Sequence, residues 1–108
     1  MVNQMSIAGL FSDPSWGDEV LCCPACGGAF LHHETVEVFE RGEDAKHGLH
    51  VTVNGNVTVD TNMAGNPSMR RYGLLVRFGC ENCNAQPVLS IVQHKGNTFI
   101  EMTFTPEI

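Results

Sequence analysis

Two Cys-x-x-Cys pairs carry the chemistry of this sequence. The first is Cys23-Pro24-Ala25-Cys26-Gly27-Gly28 and the second is Cys80-Glu81-Asn82-Cys83-Asn84. A two-residue gap lets a tight turn present two sulfurs to one metal ion, so each pair is half of a four-sulfur tetrahedron. The flanking residues suit the same geometry. A knuckle whose backbone N–H groups point at the sulfurs needs a residue of left-handed conformation just after its second cysteine. Gly27 and Asn84, the two types that best tolerate φ > 0, stand there. The expected ligands are therefore Cys23, Cys26, Cys80 and Cys83, holding one Zn²⁺ per chain. Its role is structural, because four cysteines close the shell that a catalytic zinc leaves open for water. An iron site uses the same four cysteines and stays open as an alternative, with zinc preferred.

The pattern resembles the zinc-ribbon superfamily, whose members hold one zinc between two such knuckles at the tips of β-hairpins. The motifs CPACGG and CENC carry the likeness, each beside strand-like sequence. The gap departs from it: 53 residues separate Cys26 from Cys80, more than a minimal ribbon requires. The excess reads as an inserted strand or hairpin over Phe30 to Asp60. Ribbons serve transcription factors, ribosomal proteins, enzyme subunits and small adaptors alike, so the resemblance implies a metal site and a fold without fixing a function.

Other chemistries find less support. A thioredoxin-like redox pair needs one Cys-x-x-Cys to open a helix, and Gly27-Gly28 opposes a helix there. His32 and His33 follow Cys26 closely enough to approach a metal, but a histidine on a strand is more often a surface or core residue. Cys22, the odd thiol, reads as a small buried apolar side chain. No phosphate-binding glycine loop, Gly-x-Ser-x-Gly elbow or His-Glu-x-x-His helix occurs, and no enzymatic activity is expected. Arg70, Arg71, Arg77, His94 and Lys95 form a candidate anion or partner site if the sheet gathers them. The alternative is that the arginines and the lysine balance Glu34, Glu37, Glu40 and Glu101 on neighbouring strands, and it is the preferred one.

Strands must position these groups. Phe30 to Glu40 alternates, with Val36 and Val38 on one side and Thr35, Glu37 and Phe39 on the other. Arg41 to Gly48 is a polar surface connection. In GLHVTVNGNVTVD, a three-residue loop Asn54–Asn56 sets Val53 against Val57 and Val51 against Val59, with Asn56 taking the left-handed position. That register also pairs His50 with Asp60, read as a solvated surface contact in preference to a catalytic dyad. Thr61 to Ser68 is a loop, Met69 to Gly79 a strand leading into Cys80. Two final strands, PVLSIVQ and NTFIEMTF, meet at a tight turn of His94, Lys95 and Gly96. No helix of more than two turns is expected. Residues 1–20 read as an irregular arm, where Trp16 tacks the arm to the body, ahead of one domain spanning 21–108.

Length and charge bound the rest. A chain of 108 residues supports one domain with a thin core. Its 43% hydrophobic and 17% charged composition is that of a globular protein. A formal charge of −6 repels a phosphate backbone unless the few cations cluster. No apolar run long enough to span a membrane occurs. Met1 to Phe11 has neither the basic region nor the apolar run of a secretory signal, so a reducing cytoplasm is the expected compartment. The expectation is a mainly β, antiparallel, zinc-ribbon-like domain with an inserted β-hairpin, acting without catalysis as a protein-interaction or regulatory module. In size and charge it looks like the accessory proteins of phages or mobile elements. The alternative is a nucleic-acid-binding ribbon that uses the basic residues.

Overall fold

The computed structural model describes residues 3–5 and 20–105. Seven strands form one sheet: β1 (Asn3–Met5), β2 (Leu31–Glu40), β3 (Leu49–Val53), β4 (Val57–Asp60), β5 (Gly73–Cys80), β6 (Gln86–His94) and β7 (Asn97–Thr105). They are hydrogen-bonded in the order β1-β7-β6-β5-β2-β3-β4, and every pairing is antiparallel. No helix occurs among the described residues, and none is long and apolar enough to cross a membrane. The insertion between the cysteine pairs is the β2–β3–β4 meander, which widens the sheet beyond β5.

Short connections set this topology. Loop Asn54–Asn56 closes β3 onto β4 with Val53 opposite Val57, Val51 opposite Val59 and His50 opposite Asp60, as the valine spacing requires. The left-handed residue is Gly55, at φ 72°, and not Asn56; glycine takes that conformation without a Cβ clash. Lys95 and Gly96, both at positive φ, turn β6 into β7, with His94 opposite Asn97. The strand expected from Met69 begins at Gly73, because Ser68 holds the preceding residues in a loop: its hydroxyl donates to the Gln93 carbonyl (2.8 Å) and accepts the Arg71 N–H (3.0 Å). Asn3–Met5, expected to be irregular, pairs with Met102–Phe104 on β7. Trp16 lies outside the described residues.

The register divides the side chains between two faces. Val36, Val38, Val51, Val53, Val57 and Val59 share one face with Leu74, Val76, Leu89 and Ile91. Phe39, Leu75 and Val88 share the other, where the loop from Thr61 to Tyr72 brings Met63 onto Phe39 and Leu75. Phe39 is fully buried on this second face, and Met102, opposite Leu89 on the first, is fully buried as well. At the β4 edge of the valine face, by contrast, Val57 and Val59 are 66% and 62% exposed.

A polar chain crosses the core face beside Phe39. The His50 ring stacks on Phe39 at 4.3 Å between centroids. His50 Nδ1 faces Asp60 Oδ1 at 2.8 Å, its Nε2 faces Glu37 Oε1 at 3.1 Å and the Thr52 hydroxyl at 3.2 Å. Glu37 Oε2 accepts from Arg77 Nε at 3.2 Å. The pair read as a solvated contact is thus part of a half-buried network, with the imidazole side chain 13% exposed. Burial opposes its protonation, but the Asp60 and Glu37 carboxylates outweigh that and raise the His50 pKa above 6.5. A raised folded-state pKa contributes stability that is complete below the unfolded value and lost as pH rises through the folded one. In metal-loaded protein, the unfolding free-energy difference between wild type and His50→Gln should shrink as pH rises above 6.5. Urea titrations of both proteins from pH 6 to 9 check this, and a difference that is flat or grows with pH contradicts it.

Candidate metal centre

The first knuckle turns because Gly27, at φ 78°, lets its N–H reach back to the Cys23 carbonyl at 2.8 Å. The Cys23 N–H then donates to the Gly28 carbonyl at 2.7 Å, closing the loop just before β2. The second knuckle joins β5 to β6. Leu31 opposite Cys80, and the Glu81 N–H on the Phe30 carbonyl at 3.1 Å, hold the two knuckles side by side. A bulge between His33 and Thr35 shifts the register of β2, so its first residues can follow the knuckle while the rest keep the Phe39 pattern. Gly28 is the point of closest approach, where a Cβ would lie 2.1 Å from Asn82 Nδ2.

Cys23, Cys26, Cys80 and Cys83 come together with all four sulfurs within 4.8 Å of one another. The Cys23 and Cys83 sulfurs are 3.8 Å apart, those of Cys26 and Cys80 3.6 Å. A tetrahedron with metal–sulfur bonds of about 2.3 Å has edges of roughly 3.8 Å, so these residues fit a metal ion of that size. All four are free thiols, spaced far beyond the ~2.05 Å of a disulfide. Backbone N–H groups of Gly28 and Asn82 point at the Cys26 and Cys80 sulfurs, each at 3.4 Å, where they stabilise thiolate charge. Asn84 is not left-handed: after Cys83 the second knuckle leads through buried Ala85 directly into β6.

Proton affinities within the cluster are split. Burial pushes the Cys23 thiol up against the backbone N–H groups of Cys26 and Ala25. Burial opposes ionisation of Cys80 too, but the N–H groups of Asn82 and Cys83 and the adjoining sulfurs hold it below its ordinary value. The Ala85 N–H favours a Cys83 thiolate, yet desolvation and the sulfurs of Cys80, Cys23 and Cys26 push that thiol up to about 12. Four sulfurs in this space cannot all ionise unless a cation shares it.

The remaining expected site residues are dispersed. Cys22 is buried, its thiol directed at the Val20 carbonyl at 3.5 Å, outside the cluster. His32 contacts Glu81 at the surface and is also outside it. Arg70 makes a two-pronged pair with Asp44 (2.8 and 2.7 Å) and reaches Glu43 at 3.4 Å. Arg77 is held by Glu37 on the core face. Arg71, His94 and Lys95 line one cavity together, beyond the start of β5 and the end of β6. Glu37 was among the acids expected to balance the arginines, and it does so for Arg77; its place in a strand beside Val36 and Val38 gave no sign that it also holds His50.

Structural zinc in peptides contributes about 10–16 kcal/mol of apparent binding energy at neutral pH, against about 5–15 kcal/mol of net stability for a typical domain. If a comparable ion sits here, Cys23→Ser or Cys83→Ser should abolish the cooperative thermal transition, while Cys22→Ala keeps both metal and transition. Calorimetry with metal analysis of the three variants checks this; a Cys83→Ser transition close to that of wild type refutes it. Comparison with protein-family models, curated proteins and solved structures finds no match to this chain, so its functional reading rests on the geometry above.

Proposed function

We propose that this chain is a non-enzymatic, zinc-stapled β module of zinc-ribbon type that binds another protein through edge strand β4 and the valine face beside it. The observation that carries the reading is the exposure of Val57 and Val59 on an edge strand, with Val53 (44% exposed) next to them. An edge strand offers unpaired backbone groups to an incoming strand, and alternating side chains supply the specificity. Nothing charged interrupts the valines of β3 and β4 on that face. Zinc is the ion proposed because four thiolates close its preferred tetrahedron.

The nucleic-acid reading has less support. It asks that Arg70, Arg71, Arg77, His94 and Lys95 act as one surface, whereas Arg70 is engaged by Asp44 in the Arg41–Gly48 connection and Arg77 by Glu37 on β2.

Two measurements test the proposal. Elemental analysis should give one zinc per chain, with four thiols released on chelation; iron, recognised by its visible absorption, would replace zinc in the reading. Selection from a random-peptide library on metal-loaded protein should return extended, alternating apolar sequences. Their binding should weaken at least about tenfold in Val57→Lys/Val59→Lys, since charges on an edge block strand addition. Binders indifferent to the double substitution, or none above background, overturn the docking surface.

A further inference from the structure

At the end of the sheet opposite the sulfurs, the Ser68–Tyr72 segment is fastened to the end of β6. Ser68 donates to the Gln93 carbonyl at 2.8 Å, and the Gln93 N–H donates to the Tyr72 carbonyl at 3.1 Å. Between this segment and the Lys95–Gly96 turn lies a cavity of about 280 Å³ lined by Arg71, Tyr72, Gln93, His94, Lys95 and Glu43. A more apolar hollow of about 330 Å³, with Met69, Val92 and Phe99 in its lining, shares His94 with it.

Three features point to a ligand. Carboxylates engage Arg70 and Arg77, but among the described residues Arg71 and Lys95 have no ion-pair partner, and both line the cavity. Arg71 lies over the Tyr72 ring at 5.4 Å, which orients the guanidinium while leaving its N–H groups free to donate. Lys95 holds a left-handed backbone at φ 51°, in a turn where asparagine followed by glycine is the favoured pair. A lysine there gives up local stability and sets an ammonium group at the cavity. Beside these cations, Met69 is 85% and Phe99 48% exposed.

We propose that the two hollows form one binding site for a small phosphate monoester whose organic part is apolar or aromatic. The guanidinium and ammonium donate to the phosphate oxygens, with the Tyr72 hydroxyl and His94 ring beside them. The organic group lies against Phe99 and Met69. Two acids line the joined hollows: Glu101 in the apolar one, and Glu43 beside the cations, where its carboxylate reaches Arg70 at 3.4 Å and leaves Arg71 and Lys95 against one partly neutralised acid within the smaller cavity. Each hollow is at the low end of ligand-pocket volumes, which suits a small molecule with one group in each and not a nucleic-acid strand.

The test is a low-salt NMR titration of metal-loaded protein with phenyl phosphate, inorganic phosphate and phenol. Saturable shifts are expected at residues 71–72 and 93–96, with phenyl phosphate binding at least about tenfold tighter than inorganic phosphate and phenol not binding. Lys95→Asn suits the turn better, so it should keep or raise the melting temperature while weakening phenyl phosphate at least about tenfold. Arg77→Gln should leave affinity unchanged. Absence of saturable binding, or equal loss in Arg77→Gln and Lys95→Asn, overturns the site. Equal affinity for phosphate and phenyl phosphate overturns its apolar half. None of these outcomes bears on β4, so this site and the docking surface stand or fall separately.

Discussion

Every strand boundary near one end of this molecule depends on four sulfurs meeting. The core on the Phe39 face is thin, consisting of Phe39, Met63 and Leu75 with Val88 against them. The sulfur pairs join residues 60 and 54 positions apart, and bringing such distant segments together has an entropic cost that a small core offsets poorly. The cysteine cluster gathers the entrance to β2, the exit of β5 and the entrance to β6 in one place, and an ion shared by the four sulfurs would fix it there. From that junction the register of β2 on β5, and so the placement of the inserted meander, follows.

The sheet is two-faced for a second reason. Seven antiparallel strands leave two broad surfaces, and the Thr61–Tyr72 loop covers part of the one that carries Phe39. Ser68 fastens that loop to β6, and Arg41 donates to the carbonyls of Ala45, Ser68 and Met69. Hydrogen bonds of this kind, most of them part-buried, hold a loop in place where apolar packing alone would let it slide. The valines of β3 and β4 lie on the other side, and their exposure underlies the proposed docking role.

The charged groups are sorted along the molecule as well. Acidic side chains capture Arg70 and Arg77, while Glu37 and Asp60 bracket His50 and fix the outer hairpin to β2. With both ring nitrogens facing carboxylates, His50 has no free nitrogen with which to act as a base, so the network belongs to the fold. Arg71 and Lys95 are left at the end farthest from the sulfurs, and the proposed phosphate site is built from them.

Much of this was legible without coordinates. The clustering of the four cysteines could be read from two spacings and the residue after Cys26, because a knuckle is a local structure whose needs are met within five residues. The β3–β4 register was legible for a like reason: alternating valines and an Asn-Gly-Asn loop leave one pairing that keeps the apolar residues together. Alternation tells which side chains share a face, but it cannot tell which face is covered. On the Phe39 face that was decided by where the Thr61–Tyr72 loop folds. The same holds for the five candidate cationic residues, whose neighbours come from β2, from the Arg41–Gly48 connection and from the end of β6. Sequence alone determined what short-range geometry and residue chemistry dictate. Tertiary structure decided which face is covered and which charges remain unpaired, because burial and ion pairing depend on segments that meet only when the whole sheet has formed.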